Sequence, residues 1–278
     1  MEELILNKVC QAFSELHFIH GLVLGGSRAT NTATSQSDID IGIYYDSNQF
    51  NYEIVNEIAS SLDDEHRTNL IGHEGDWGRW VNFGAWLTME GIAVDLIFRD
   101  VHRVEEILKE TASGIYSSNY QVGHPHAYFS HMYQGELASS LLIYARDKEF
   151  QLLKTKAEQY PQKLQEVVIQ QHLFEAGFSL MLANKAFDTQ DMYYITGHIF
   201  RSISALNQVL FAKNAVFFLN EKKALKRIDH FDYAPSHYED RIHIILALLQ
   251  SDTLSAFERL NELIAEVETI HTKLGTTL

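Results

Sequence analysis

Residues 21–45 read GLVLGGSRATNTATSQSDIDIGIYY, and this stretch decides how the rest of the chain is interpreted. A short apolar run leads into the tripeptide GGS at 25–27. Ten residues then separate that tripeptide from DID at 38–40, which opens a second apolar run. The pattern predicts a strand, a glycine-rich loop and a second strand, in that order.

The glycine-rich loop has the residues that a phosphate-binding turn needs. Gly25 and Gly26 allow the backbone to turn sharply and to present N–H groups without side-chain obstruction. Ser27, and a helix that starts just after it, adds further donors for a phosphate. Arg28 adds a charged donor. We therefore predict that these four residues bind the phosphates of a nucleotide.

The two aspartates at the start of the second strand suit a divalent cation. Residues two apart in a strand point to the same face, so Asp38 and Asp40 face the same space while Ile39 anchors the other face. Mg²⁺ prefers oxygen ligands and is commonly shared between carboxylates and substrate phosphates. This pattern favours chemistry on a metal-bound nucleoside triphosphate.

Asp95 is the candidate for a third carboxylate. It interrupts the apolar run IAVDLIF at 92–98, where a charge is costly unless a bound cation or another partner compensates it. Two metal ions held by three carboxylates can activate an attacking oxygen and stabilise leaving pyrophosphate. We predict that Asp38, Asp40 and Asp95 are both the metal ligands and the catalytic residues.

The combined pattern resembles the DNA polymerase beta-like nucleotidyltransferase superfamily. The resemblance rests on Gly26, Ser27, Asp38, Asp40 and Asp95 and covers about the first 100 residues. It implies that the three aspartates bind Mg²⁺, as a two-ion site, and that the loop serine contacts the triphosphate.

The second half of the chain resembles bacterial small-molecule nucleotidyltransferases, the group that contains aminoglycoside- and lincosamide-modifying enzymes. The segments that resemble it are GHPH at 123–126, YQGEL at 133–137, YP at 160–161 and NEKK at 220–223. The resemblance implies an acceptor hydroxyl on a small molecule, an antibiotic being one candidate, and leaves the acceptor itself open.

The predicted fold is α+β, with a small mixed β-sheet head at 1–120 followed by an α-helical bundle at 121–278 that binds the acceptor. We place the boundary near residue 120 because 111–126 lose periodicity and gain Ser, Gly and Pro. The chain after that point is helical in period. Ser47 and Asn48 are the predicted cap of a helix through Leu62.

Charge and composition restrict the partners. The chain has a net charge of −15, and residues 1–120 carry 7 basic against 19 acidic residues, a net −12. Nucleic-acid binding draws on a basic surface, so we expect no nucleic-acid partner and favour a cationic or neutral acceptor. The single cysteine and the lack of a long apolar run indicate a cytoplasmic protein with no membrane partner. The oligomeric state is not predicted.

Four residues of the second half are further candidates. Lys222 and Lys223 could reach the β- and γ-phosphates, since so acidic a head needs cations to hold a triphosphate; the alternative is a pair of cations at a helix end. Glu136 and Asp191 could bind the acceptor or act as a general base. Their alternatives are a helix-surface carboxylate and a helix cap.

The sequence predicts Mg²⁺-dependent transfer of a nucleoside monophosphate, AMP from ATP, onto a hydroxyl with release of pyrophosphate. Trp77, Trp80 and Trp86 could stack a base or an acceptor ring, or could simply pack. Two alternatives stay open: nucleotidylation of a protein or a tRNA end, as in toxin–antitoxin members of the superfamily, and a nucleotide-sensing protein without turnover.

Overall fold

The computed structural model describes residues 1–30, 33–34 and 37–272. Its contacts divide the chain into two compact units. The first comprises Met1–Thr111, Tyr116–Gly123 and Ala127–Gln159, and the second comprises Ala112–Ile115, His124–His126 and the chain from Tyr160 onward. The first contains a mixed sheet and the second is helical, which confirms the predicted α+β class.

A five-stranded sheet organises the first unit. The strands of the chain are β1 (Ile19–Leu24), β2 (Ile39–Tyr45), β3 (Phe83–Met89), β4 (Ile92–Asp100), β5 (Ser118–Asn119), β6 (Tyr128–Phe129) and β7 (Leu141–Ala145). The strand order of the sheet is β3-β4-β2-β1-β7, in which β2 and β4 are parallel and all other neighbours are antiparallel. A separate two-stranded ribbon joins β5 and β6.

The alternation of side chains along the strands separates a core face from a site face. Ile39, Ile41 and Ile43 of β2 enter the apolar core, together with Val94 and Leu96 of β4. Residues between them, with the other parity, lie on the opposite face because successive side chains of a strand alternate. Asp40 of β2 and Asp95 of β4 are on that opposite face.

Helices flank the sheet, and one of them begins later than predicted. Asn51 caps α3, since its side chain accepts hydrogen bonds from the N–H groups of Glu53 and Ile54. The prediction that Ser47 and Asn48 cap this helix is wrong, because the side chain of Asp46 accepts a hydrogen bond from the Asn48 N–H and holds these residues in a turn. The helices of this unit are α1 (Glu2–Ser14), α2 (Gly26–Ala29), α3 (Tyr52–Leu62), α4 (Val101–Ala112), α5 (Met132–Ser139) and α6 (Lys148–Ala157).

The edge strand β7 is not predicted by the sequence pattern. The run LLIYA at 141–145 pairs antiparallel with β1, so the sheet recruits chain from well beyond residue 120. Because of this pairing the first compact unit continues to Gln159, and the predicted boundary near 120 falls inside it. The expectation that everything after 120 is helical is therefore wrong for this segment.

The second unit is built from helices. Asp191 caps α8, its side chain accepting the Tyr194 N–H at 3.1 Å, and α8 ends at Lys213. Within the described ranges no helix combines the length and the apolar character that crossing a bilayer requires. The helices are α7 (Gln162–Lys185), a 3₁₀ turn (Phe187–Thr189), α8 (Met192–Lys213), α9 (Ala224–Ile228), α10 (Tyr238–Ser251) and α11 (Thr253–Thr272).

Candidate active site

The glycine-rich loop connects the end of β1 to the short helix α2. The Gly25 N–H donates to the carbonyl of Asp40 at 2.8 Å, which fixes the loop against the beginning of β2. Gly26 adopts φ +60°, a left-handed conformation that glycine tolerates best. Gly26 and Ser27 form the first turn of α2. The predicted phosphate-binding residues thus lie beside the predicted metal ligands.

Asp40 and Asp95 are brought together by the pairing of two parallel strands. The register of β2 and β4 places Asp40 directly beside Asp95 on the same face. Asp38 precedes β2 by one residue, and Asp40 and Asp95 are both half-buried. A predicted carboxylate pair and a third carboxylate 55 residues later are therefore neighbours in the fold.

Asp38 and Asp40 act on Asp95 through their charges. Burial is the largest cause that raises the pKa of Asp95, to about 6, and the charges of Asp40 and then Asp38 contribute to the same increase. Both causes disfavour the charged form: burial removes water, and like charges repel. This repulsion is the kind that a bound cation relieves.

The donor set fits a hard divalent cation. Carboxylate oxygens are the ligands that Mg²⁺ prefers, and Gly26 leaves open the space into which the Asp40 carboxylate extends. The part of the chain that is described contains no set of three His, Cys, Asp or Glu side chains already drawn together as metal ligands. Asp38, Asp40 and Asp95 are the residues that would hold an ion here.

Arg28 contacts the protein with each of its three guanidinium nitrogens. Nε donates to the Asp38 carbonyl at 3.0 Å, and Nη2 donates to the Ser37 carbonyl at 2.6 Å. Nη1 forms an ion pair with Glu2 of α1, also at 2.6 Å. These contacts tie the segment before β2 to α2 and α1, and the contact of Arg28 with the nucleotide stays a prediction.

Trp86 is a residue that the sequence did not single out from the other tryptophans. In β3 it pairs in register with Asp95, and its side chain is 63% exposed. The sequence feature that indicates its position is the alternation of FGAWLTM at 83–89. Phe83, Ala85 and Leu87 are buried, so Trp86 lies on the opposite face, with the aspartates.

Glu136 and Asp191, the predicted acceptor residues, each have a partner within the protein. Glu136 accepts from Nε and Nη2 of Arg99 at 2.7 and 3.1 Å, and Arg99 is only 3% exposed. Asp191 caps α8. The structure therefore supplies the helix-cap role for Asp191 and an ion pair for Glu136.

Lys222 and Lys223 belong to the second unit, just before α9. The Lys222 N–H donates to the side chain of Asn220, and Lys223 occupies the N-cap of α9 with φ +60°. Lys222 and Lys223 are both exposed. Their contact with a triphosphate stays a prediction.

Part of the chain is similar to a known protein family. Residues 3–83 match the nucleotidyltransferase domain family. No curated protein shows significant sequence similarity to the chain. Among solved structures, a nucleotidyltransferase-like protein from Exiguobacterium sibiricum 255-15 is similar, with a TM-score of 0.47, 9% sequence identity, and coverage of 98% of this chain and 74% of that chain. The family match covers the phosphate loop and the Asp38–Asp40 pair, and it supports the resemblance to the DNA polymerase beta-like nucleotidyltransferase superfamily.

Proposed function

We propose that the protein transfers a nucleoside monophosphate from a nucleoside triphosphate, with ATP as the expected donor, to a hydroxyl group of a small molecule. The observation that carries the proposal is the register of Asp40 and Asp95 beside the Gly25–Gly26 loop. A phosphate-binding turn and converging carboxylates are what phosphoryl chemistry requires. The family match of residues 3–83 supports the same reaction class.

In the proposed reaction the acceptor oxygen attacks the α-phosphorus of the donor. A bond forms between that oxygen and phosphorus, the bond from phosphorus to the bridging oxygen breaks, and pyrophosphate leaves. A carboxylate oxygen of Asp95 takes the hydroxyl proton. Gly26 and Ser27 orient the triphosphate through backbone N–H groups, and Asp38 and Asp40 lie beside it.

Mg²⁺ is the cofactor that this donor set fits, with Asp38, Asp40 and Asp95 as its ligands. When bound, Mg²⁺ supplies neutralisation of the triphosphate charge and polarises the phosphoryl group. Lys222 and Lys223 are proposed to add positive charge at the β- and γ-phosphates.

The acceptor is proposed to be a small molecule, with aminoglycoside- or lincosamide-like antibiotics among the candidates. The acidic surface of the first 120 residues, net −12, favours a cationic acceptor and disfavours a tRNA end. The single free cysteine fits an enzyme of the reducing cytoplasm.

Pyrophosphate release tests the proposal. The protein is incubated with Mg²⁺, each of the four NTPs and a panel of aminoglycosides, lincosamides and neutral polyols, with Asp40→Asn as the control. We expect acceptor-dependent release that the substitution reduces at least about a hundredfold. Release that the substitution leaves unchanged would refute the assigned site. Label transferred to a protein or a tRNA would favour the macromolecular alternatives, and NTP binding without release would favour a sensor.

A further inference from the structure

Trp86 is an exposed aromatic ring beside the third carboxylate. Its neighbours in β3, Ala85 and Leu87, are buried, whereas Trp86 is 63% exposed. The antiparallel register places Trp86 opposite Asp95, and side chains in such a pair have Cβ atoms about 5 Å apart on the same face. A large ring with most of its surface in solvent, on the face of the aspartates, is accessible to a ligand.

A second indole holds the Trp86 ring in place. The rings of Trp77 and Trp86 are stacked, with centroids 4.6 Å apart and planes 20° apart. Trp77 in turn lies over Gly84, where a Cβ would come within 2.4 Å of the Trp77 ring. The backbone of Trp77 is also fixed. Its backbone N–H donates to the Asn82 carbonyl at 2.9 Å, and its carbonyl accepts from the Gln121 side chain at 2.5 Å. The two rings therefore form a preorganised surface.

The strand order places the Trp77–Trp86 surface on the side of Asp95 that faces away from the phosphate loop. The phosphate loop follows β1, Asp40 lies on β2, Asp95 lies on β4 and Trp86 lies on β3, and these strands are successive neighbours about 4.8 Å apart. The loop and Trp86 are thus on opposite sides of Asp95. If the triphosphate occupies the loop, the acceptor approaches Asp95 from the side of Trp86.

We propose that Trp86, backed by Trp77, is the acceptor-binding surface, and that the acceptor carries an ammonium group that packs on the indole face. The proposal rests on the proposed nucleotidyl transfer. Indole is the aromatic side chain that binds cations best, and the net charge of −12 over residues 1–120 favours a cationic ligand. The acceptor hydroxyl would then lie within reach of Asp95.

Binding without turnover provides the first test. The chain has three tryptophans, so ¹⁵N-indole NMR of the full-length protein gives three signals, and Trp86→Phe assigns one of them. The probes are glucosamine and glucose, which share a ring and hydroxyls and differ in the ammonium group. We expect glucosamine to shift the Trp86 and Trp77 signals and to leave the buried Trp80 unchanged. No shift, or an equal shift with glucose, would overturn the proposal.

Steady-state kinetics provides the second test. The control variant is Tyr120→Ala, which removes another exposed ring from the same unit, since Tyr120 is 91% exposed. We expect Trp86→Ala to raise the acceptor KM about tenfold and Trp86→Phe to raise it less, with the NTP KM changed less than about twofold. A higher NTP KM with an unchanged acceptor KM would assign the ring to the nucleobase instead and refute the proposal. If pyrophosphate release never depends on Asp40, the transfer reaction fails, and the NMR titration still reports on the Trp86 surface.

Discussion

The carboxylate of Asp40 occupies the space that a side chain at residue 26 would fill. A Cβ built on Gly26 would lie 1.7 Å from Oδ2 of Asp40, far inside van der Waals contact. Gly26 also has φ +60°, so the backbone conformation and the position of Asp40 both depend on glycine. The predicted phosphate loop and β2 are therefore coupled through this close approach as well as through the hydrogen bond from the Gly25 N–H to the Asp40 carbonyl.

Substitution of Gly26 by Ala should abolish transfer while leaving the protein folded. Gly91→Ala is the matched control, because Gly91 also has positive φ, at +73°, and a Cβ added there would meet no atom within 4 Å. Both variants should lose about 1 kcal/mol of unfolding free energy in urea titrations. Only Gly26→Ala should lose activity, by about a hundredfold or more, since misplaced catalytic groups cost that much. Equal activity in the two variants would show that Asp40 can move without cost.

Arg28 should act as a positioning residue rather than as a ligand of the triphosphate. Its bonds to the Ser37 and Asp38 carbonyls hold the segment that presents Asp38, and small misplacements of catalytic groups are costly. We expect Arg28→Gln to lower kcat at least about tenfold with less than about a threefold change in the NTP KM.

Glu2→Gln is the control for Arg28, since it removes the ion pair at Nη1 and keeps both carbonyl contacts. Its kcat should stay within about twofold of the wild-type value, because an ion pair whose Glu2 side is partly exposed to solvent contributes little. Mg²⁺ titrations of both variants, read by isothermal calorimetry, separate altered metal binding from altered turnover. A raised NTP KM with normal kcat in Arg28→Gln would indicate that Arg28 binds the triphosphate.

The local pattern of the sequence was sufficient to place Asp95 but not to find the strand β7. Asp95 interrupts a run of apolar residues with strand period, and that anomaly is visible without any structure. The run at 141–145 is short, and its first two residues are exposed, so neither its period nor its burial marks it as a strand. It is a strand because it completes the edge of β1, a contact between segments that are far apart in the chain.

The role of Trp86 also required the fold. Strand alternation places it on the face of the aspartates, but only the register of β3 with β4 places it opposite Asp95. In the same way, the sequence suggests Arg28 as a charged donor near phosphate because it cannot show that Ser37 and Asp38 present their carbonyls to it. Long-range register and backbone contacts are the information that local patterns lack.

Asp63 should make the first unit sensitive to acid. This buried carboxylate accepts from Nε and Nη2 of Arg67 at 2.9 and 2.6 Å and from the Thr88 N–H at 2.9 Å. The hydrogen bonds from Arg67 hold its pKa well below the usual range, against the opposing effect of burial. Since the folded-state pKa is depressed, the stabilisation is present above the unfolded pKa of about 3.9 and is lost as pH falls below it.

The variant Asp63→Asn tests this sensitivity. At pH 7 we expect it to lose about 2 kcal/mol of unfolding free energy, and we expect the difference from wild type to shrink below about pH 4. Glu105→Gln, on the exposed surface of α4, is the control and should change stability by less than about 0.5 kcal/mol. Urea titrations from acidic to neutral pH measure both. A difference that stays constant over this range would contradict the assignment.

Glu136 distinguishes an ion-pair role from an acceptor-binding role. Its carboxylate is the partner of the buried Arg99, which also donates to the Val81 carbonyl at 2.6 Å, and the Tyr128 hydroxyl donates to Glu136 at 3.3 Å. Removing one member of a buried pair leaves the other charge uncompensated. We expect Glu136→Gln to lower the unfolding free energy by about 2 kcal/mol, less than for a fully buried pair because Glu136 is partly exposed.

The kinetic readout for Glu136→Gln is the acceptor KM, measured at a temperature where the variant is fully folded. If the Glu136 carboxylate only pairs with Arg99, the substitution should leave this KM within about twofold of wild type. If Glu136 binds the acceptor, the substitution should raise the KM about tenfold or more. Arg99→Gln supplies the reciprocal variant: it should lower stability in the same direction, and a double substitution should cost less than the sum of the two. Additive losses with a raised acceptor KM would instead place Glu136 in the acceptor site.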